Sequence, residues 1–222
     1  MTGWVTVRAL APGDDVEIER LFDATVLLGV GLERVPAAFD HYRRLSLGWY
    51  LGPGRADAAV AVDPSGTVVG YTLVCVDEAA ASRYATTMAV RLGRHVAAAV
   101  LSGHLDRASR DFYWARTRDA GVLLAARRSP PAPVHAHLNV RQGARTLTVS
   151  RALVDHVDRR CRVAGHDVWY GEMNEREGTR RRALERLGGE VVHTAPNHTF
   201  TRLLGEPVQR LTLVRRLSTA AE

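Results

Sequence analysis

Residues 134–157, VHAHLNVRQGARTLTVSRALVDHV, change period in the middle. Val134 to Val140 alternates apolar with polar residues, the period-two pattern of a strand. Val149, Leu153, Val157 and then Cys161 recur every four residues, which predicts a helix with one apolar stripe. The spacing starts that helix near Thr146 to Thr148, and Gly165 lies just past its end, where a left-handed cap is expected. A strand running directly into a helix forces the helix to pack on its own sheet. It also brings the helix's first unpaired N–H groups, and the positive end of its dipole, out at the strand's C-terminal edge. That corner can receive an anion, although most strand–turn–helix corners receive none.

The remaining chain alternates in the same way. Residues 4–10 read as a strand, and Asp14 or Asp15 as the N-cap of a helix carrying Ile18, Leu21, Phe22 and Thr25 to about Leu28. Gly29 and Gly31 break it, and Pro36 is placed to open a second helix with Phe39, Tyr42 and Leu45. Residues 58–62 and 68–76 flank Asp63-Pro64-Ser65-Gly66, a hairpin. Residues 77–132 are helical in pattern, with stripes at Tyr84, Met88, Leu92, Val96 and at Leu105, Ala108, Phe112, Ala115, ending in a Ser129-to-Pro133 linker. After the opening segment come a strand at 167–173, a helix at 174–187 stopped by Gly188-Gly189, and strands at 190–194 and 209–217. This order predicts an α/β fold with a mixed sheet. The 222 residues suit one domain, 1–222, with 77–132 as a helical insertion.

Composition removes several function classes. All thirty cationic residues are arginine, dispersed among 24 acids, with a net charge of +6. No helix-turn-helix or RNA-binding signature accompanies them, so no nucleic-acid partner is expected. Arginine still suits phosphates and carboxylates, because its fork donates two parallel hydrogen bonds. No apolar run reaches the ~20 residues of a membrane span, and no secretion signal opens the chain, so a cytoplasmic protein without a membrane partner is expected. Cys75 and Cys161 sit in apolar patterns without metal spacing, so buried free thiols and no metal are expected.

With its elements in this order, the chain resembles the GNAT-type N-acetyltransferase superfamily. In that family the fourth strand leads into a turn of pattern Arg/Gln-x-x-Gly-x-Gly/Ala. Here Val140 is followed five residues later by Arg145, and Thr148 and Ser150 stand on the two small positions before Arg151-Ala152-Leu153-Val154. Trp169 to Asn174, the Leu187-Gly188 pair and the DPSGTVVGYTLV hairpin also resemble the family's fifth strand, following helix and second-to-third strands.

The resemblance implies a mostly antiparallel twisted sheet flanked by helices, with the insertion between strands three and four. It implies acetyl-CoA as co-substrate, held at Asn139, Val140, Arg145, Thr146, Leu147, Thr148, Val149, Ser150, Arg151 and Asn174. A backbone N–H near Asn139 or Val140 would meet the developing oxyanion. The chain departs from the family at Thr148, which replaces a glycine, and at Leu184, where a tyrosine often protonates the thiolate. It departs again in the length of 174–187, which holds Arg180, Arg181 and Arg182; that run fits a solvated helix face or contact with an anionic group.

Acetyl transfer to an amine needs a base, an oxyanion donor and a proton for the thiolate. By the period-two rule His135, His137 and Asn139 share one face of their strand, which predicts a polar cleft because buried polar groups need partners. A structural role for these three side chains is the competing reading. His137 is the first candidate for general base, since an imidazole titrates near neutral pH. Tyr170 and Glu172 share a face of the next strand as proton donor and as base or orienter. The insert, through Tyr84, Met88, Phe112, Tyr113 and Trp114, can form an apolar lid, pack onto the body, or pair two copies as a homodimer. The leading expectation is an acetyl-CoA-dependent N-acyltransferase acting on the amine of a small molecule or peptide. The alternative is a catalytically impaired module of the same fold with a binding or regulatory role.

Overall fold

The computed structural model describes residues 5–26, 28–29, 35–128, 130–176 and 181–218. The chain runs β1 (Thr6–Ala9), α1 (Asp14–Thr25), α2 (Phe39–Leu51), β2 (Ala59–Val62), β3 (Val68–Cys75), α3 (Glu78–Leu101), α4 (Arg107–Arg128), β4 (Val134–Val140), α5 (Leu147–Val163), β5 (Val168–Arg176), α6 (Arg181–Arg186), β6 (Glu190–Pro196), α7 (His198–Leu204) and β7 (Val208–Arg216). The strands form one sheet in the order β1-β2-β3-β4-β5-β7-β6. Every neighbouring pair is antiparallel except β4 with β5. The helical insertion, α3 and α4, stands between β3 and β4 as expected.

Alternation along the strands sorts side chains to two faces. On one face Val74, Val134, Ala136, Trp169, Leu211 and Leu213 pack against Val154, Val157 and Cys161 of α5 and Leu184 of α6. On the other, Tyr71, Leu73 and Cys75 pack against Ile18 and Leu21 of α1 and Leu47 and Tyr50 of α2. Both cysteines are buried free thiols, and burial pushes Cys75 up to about 12. One charged clamp ties the α5 face together. The buried Asp158 carboxylate accepts from Trp169 Nε1 at 2.8 Å and from Arg215 Nη2 at 2.8 Å, while Arg215 Nη1 donates to Leu187 O at 2.5 Å. Gly188, at φ 78°, ends α6 under that guanidinium, where an added Cβ would collide with it.

Several expected boundaries move. Gly13, at φ 93°, caps α1, and Asp14 is its first residue, held by Arg8 at 2.6 Å and by the Ala11 N–H at 2.7 Å. The helix ends at Thr25 rather than Leu28. Pro36 does not open α2, because the chain turns at Ala38, φ 60°, and the helix starts at Phe39. Residues 174–187 are not one helix. β5 continues through Asn174 to Arg176 because β7 pairs with it along its whole length, Arg176 opposite Val208, which leaves α6 only six residues. Helix α7 was not anticipated from sequence. Trp4, Gly31, Ser129 and Arg180 lie outside the described residues. None of the described helices is long and apolar enough to cross a membrane.

Candidate active site

The sheet opens in its middle. β4 and β5 pair in parallel at Val134/Trp169, His135/Tyr170 and Ala136/Gly171, and there the ladder between them stops. Gly171 occupies the vertex, where a Cβ would stand 3.0 Å from the Ala136 carbonyl oxygen. Beyond it β4 stays paired with β3 as far as Val140, and β5 stays paired with β7 as far as Arg176. Of the two backbone donors anticipated on β4, alternation separates them. Arg141 N–H donates to Val69 O at 2.8 Å, on the β3 side, so Asn139 turns its N–H the same way. Leu138 and Val140 turn theirs into the opening. The Val140 carbonyl, facing the same way, accepts from Arg145 Nε at 3.1 Å.

Over this opening lies a cavity of about 950 Å³ whose wall includes His135, His137, Asn139, Tyr170, Glu172 and Asn174. Thus β4 and β5 bring these six residues to one space, whereas Val140, also singled out in the sequence, is not part of its wall. The roof comes from α2 and α3, with Tyr42, Trp49, Tyr50 and Tyr84, and from Phe22 of α1. His135 stacks on Tyr170 at 4.5 Å between ring centres, and its Nδ1 lies 3.3 Å from the Tyr50 hydroxyl. His137 meets the Tyr50 ring edge-on at 5.5 Å. Asn139 donates its amide to the Tyr71 hydroxyl at 2.6 Å. Burial of Tyr71 pushes its phenol well above the ordinary range, so it keeps its proton. Tyr170 belongs to a paired rung, one inside the vertex; Glu172 and Asn174 lie beyond it.

Three contributors were not found from sequence. Asn197, buried, donates to Asn174 Oδ1 at 2.8 Å and caps α7 by accepting the Phe200 N–H at 2.9 Å. Asp119 of α4, also buried, accepts the N–H groups of His198 and Thr199 at 2.9 and 3.1 Å. The insert therefore holds α7, and α7 holds Asn174. Third is Arg210 of β7, in register with Asn174 on the same cavity wall. The signals were present: Asn197 precedes a short apolar repeat, as a cap does, and alternation in VQRLTLVRR puts Arg210 and Thr212 on one face.

At the mouth of the opening, Thr146 caps α5, its hydroxyl accepting the Val149 N–H at 3.3 Å, and Ser150 N–H donates to Thr146 O at 3.1 Å. Among the described residues the N–H groups of Leu147 and Thr148 meet no acceptor in the protein, and neither do the hydroxyls of Thr148 and Ser150. Arg145 and Arg151 stand exposed on either side. Two free amides, two hydroxyls and two guanidiniums make a donor-rich, positively charged corner. It fits a diphosphate, with one amide fewer than an uncapped helix start would offer.

No family model matches the chain. No curated protein matches it. Solved structures do. Drosophila melanogaster polyamine N-acetyltransferase, an enzyme that forms N-acetylagmatine, is 17% identical, with 96% of this chain and 100% of that chain covered and a TM-score of 0.57. A Salmonella typhimurium protein assigned to the acetyltransferases and solved with acetyl-CoA is 15% identical over 98% and 96%, TM-score 0.55. A GCN5-related N-acetyltransferase from Kribbella flavida is 17% identical over 96% and 98%, TM-score 0.53. The fold is that of the GNAT acetyltransferases. In this GNAT fold Leu184 is a core residue, 6% exposed among Val154, Trp169 and Leu211, so it supports the sheet rather than the cleft. Arg181 and Arg182 are exposed on the short α6. Among the described residues no cluster of His, Cys, Asp and Glu is arranged to hold a metal ion.

Proposed function

We propose that the chain is an acetyl-CoA-dependent N-acyltransferase acting on the amine of a small molecule or peptide. The observation that carries this reading is the parting of β4 and β5 after Ala136/Gly171, over a cavity that holds His137, Glu172 and Asn174. In this reading the diphosphate of acetyl-CoA lies at Leu147 and Thr148, with Thr146, Val149, Ser150, Arg145 and Arg151 around it. The thioester enters the opening, where Val140 and Leu138 present N–H groups to the developing oxyanion. His137 takes the proton of the attacking amine and Glu172 orients it; the thiolate is protonated by Tyr170, the cavity-lining phenol of β5. Asn174 and Asn139 hold amide groups of the substrates.

One observation favours the impaired module instead: the Thr146 hydroxyl occupies the Val149 amide that a glycine loop would leave for phosphate. Two assays separate the readings. A melting-point rise with acetyl-CoA reports binding to the native state, and thiol release against an amine panel reports transfer. Both are expected; a rise without thiol release on any amine would support the impaired module.

A further inference from the structure

Arg210 projects from β7 into the cavity wall with its side chain 13% exposed. Its Nη1 is buried without a hydrogen-bond partner. Among the described residues its guanidinium makes no hydrogen bond, and its nearest opposite charge, Glu172 Oε2, is 4.0 Å away, beyond hydrogen-bond reach. A guanidinium carries five N–H donors, and burying them unpaired is costly. The other cavity arginine differs. Arg116 lies over the Tyr42 ring at 5.0 Å and donates to the Tyr42 hydroxyl at 2.7 Å.

The charge inventory of the wall narrows what could answer Arg210. Among the described residues of the wall, two carboxylates, Glu78 and Glu172, are matched by two guanidiniums, Arg116 and Arg210. A polycation would find no net negative charge among them. Glu172 and Arg210 sit diagonally on paired strands, since Glu172 is opposite Thr212 and Asn174 opposite Arg210. They present an anion and an under-bonded cation side by side. An amine with a carboxylate on the neighbouring carbon offers the complementary pair, and the roof of Phe22, Tyr42, Trp49, Tyr50 and Tyr84 offers apolar area to its side chain.

We propose that the acceptor is an α-amino acid with an apolar or aromatic side chain, its carboxylate bound by Arg210 and its amino group facing Glu172. The proposal rests on the acyltransferase reading. The ammonium gives one proton to the cavity base, the nitrogen bonds to the acetyl carbon and loses a second proton, and the carbon–sulfur bond breaks with its electrons on sulfur, which takes up that one proton. The products are an N-acetylamino acid and free CoA thiol.

The test compares carboxylated and decarboxylated twins: L-phenylalanine with phenethylamine and L-tyrosine with tyramine, with spermidine as polycation. In the native enzyme kcat/KM should favour the amino acid of at least one pair by on the order of 10- to 100-fold, the range of a charge-assisted bidentate contact. In Arg210→Met that ratio should collapse toward one, through the KM of the amino acid, and Arg210→Lys should restore part of it. Whatever the substitution does through Glu172 acts on both twins and divides out of the ratio. Preference for the decarboxylated twins or for spermidine overturns the proposal, and so does an equal loss on both twins in Arg210→Met. Acetyl-CoA melting shifts on the same samples distinguish the failures. Without a shift in the native protein the acyltransferase reading falls as well; with one, only the substrate assignment falls.

Discussion

Asn197 connects the helical insert to the candidate site, and two substitutions there separate its structural work from its positioning work. The side chain is 1% exposed and makes two hydrogen bonds, one to the Phe200 N–H that caps α7 and one to Asn174 Oδ1. Asn197→Ala removes both. The cap contributes about 1 kcal/mol and the side-chain bond about 1 kcal/mol. At about 2–4 °C per kcal/mol for a chain of this size, the melting point should fall by about 4–8 °C. Asn197→Ser keeps an oxygen at the cap, since serine caps as well as asparagine, but it is too short to reach Asn174. Its melting point should fall by about half as much. Both variants remove the Asn197 hydrogen bond to Asn174 Oδ1, so both should lower kcat/KM for acetyl-CoA by about 10- to 100-fold, the cost of a small misplacement at a reacting centre. Differential scanning calorimetry and thiol-release kinetics give the two readouts. Native kinetics in Asn197→Ser would refute the positioning role, whatever its melting point.

Other outcomes follow from the same structure. Asp158→Ala strands the Arg215 guanidinium and the Trp169 N–H, so it should destabilise the fold by about 3–5 kcal/mol, read by denaturant unfolding, with Asp158→Asn costing less because it still accepts from Trp169. His156, with Nε2 3.1 Å from Asp57 O, is held below its ordinary range chiefly by burial, and burial with the stacked His95 does the same to His41. Below about pH 6.5 the unfolded chain therefore takes up protons that the folded chain resists, and stability falls as pH drops. His156→Gln should make the fall in urea-unfolding stability between pH 7 and 5 less steep. His137→Ala should lower kcat by about 100-fold or more while the acetyl-CoA dissociation constant, from calorimetric titration, stays close to native; an unchanged kcat removes His137 from the chemistry.

Where local pattern and long-range packing agreed, the sequence was informative. VHAHLNV alternates cleanly, and the structure puts its polar face on the cavity; the four-residue repeat after it is α5, which starts at Leu147, inside the expected range. Errors came where a distant partner decided the outcome. Asn174 to Arg176 look like the polar first turn of a helix, but β7, more than thirty residues later, pairs with them and keeps them extended. α7 is only seven residues long and carries little signal of its own; its stability comes from the Asn197 cap and from Asp119, 79 residues away from His198. Pro36 followed the first-turn rule for proline, yet the chain turns two residues later at Ala38. The polar residues of β4 and β5 that line the cavity were legible because strands sort side chains by parity. Arg210 was not singled out, because its importance depends on which charges share its cavity.

The central claim is that the α5 corner grips the diphosphate of acetyl-CoA through backbone amides although the usual glycines are absent. Titrating acetyl-CoA into ¹⁵N-labelled protein observes those amides directly. The resonances of Leu147 and Thr148 should shift progressively and saturate together with those of Leu138 and Val140 in the strand opening. Leu147 and Thr148 signals that stay fixed at a saturating ligand concentration would contradict the account.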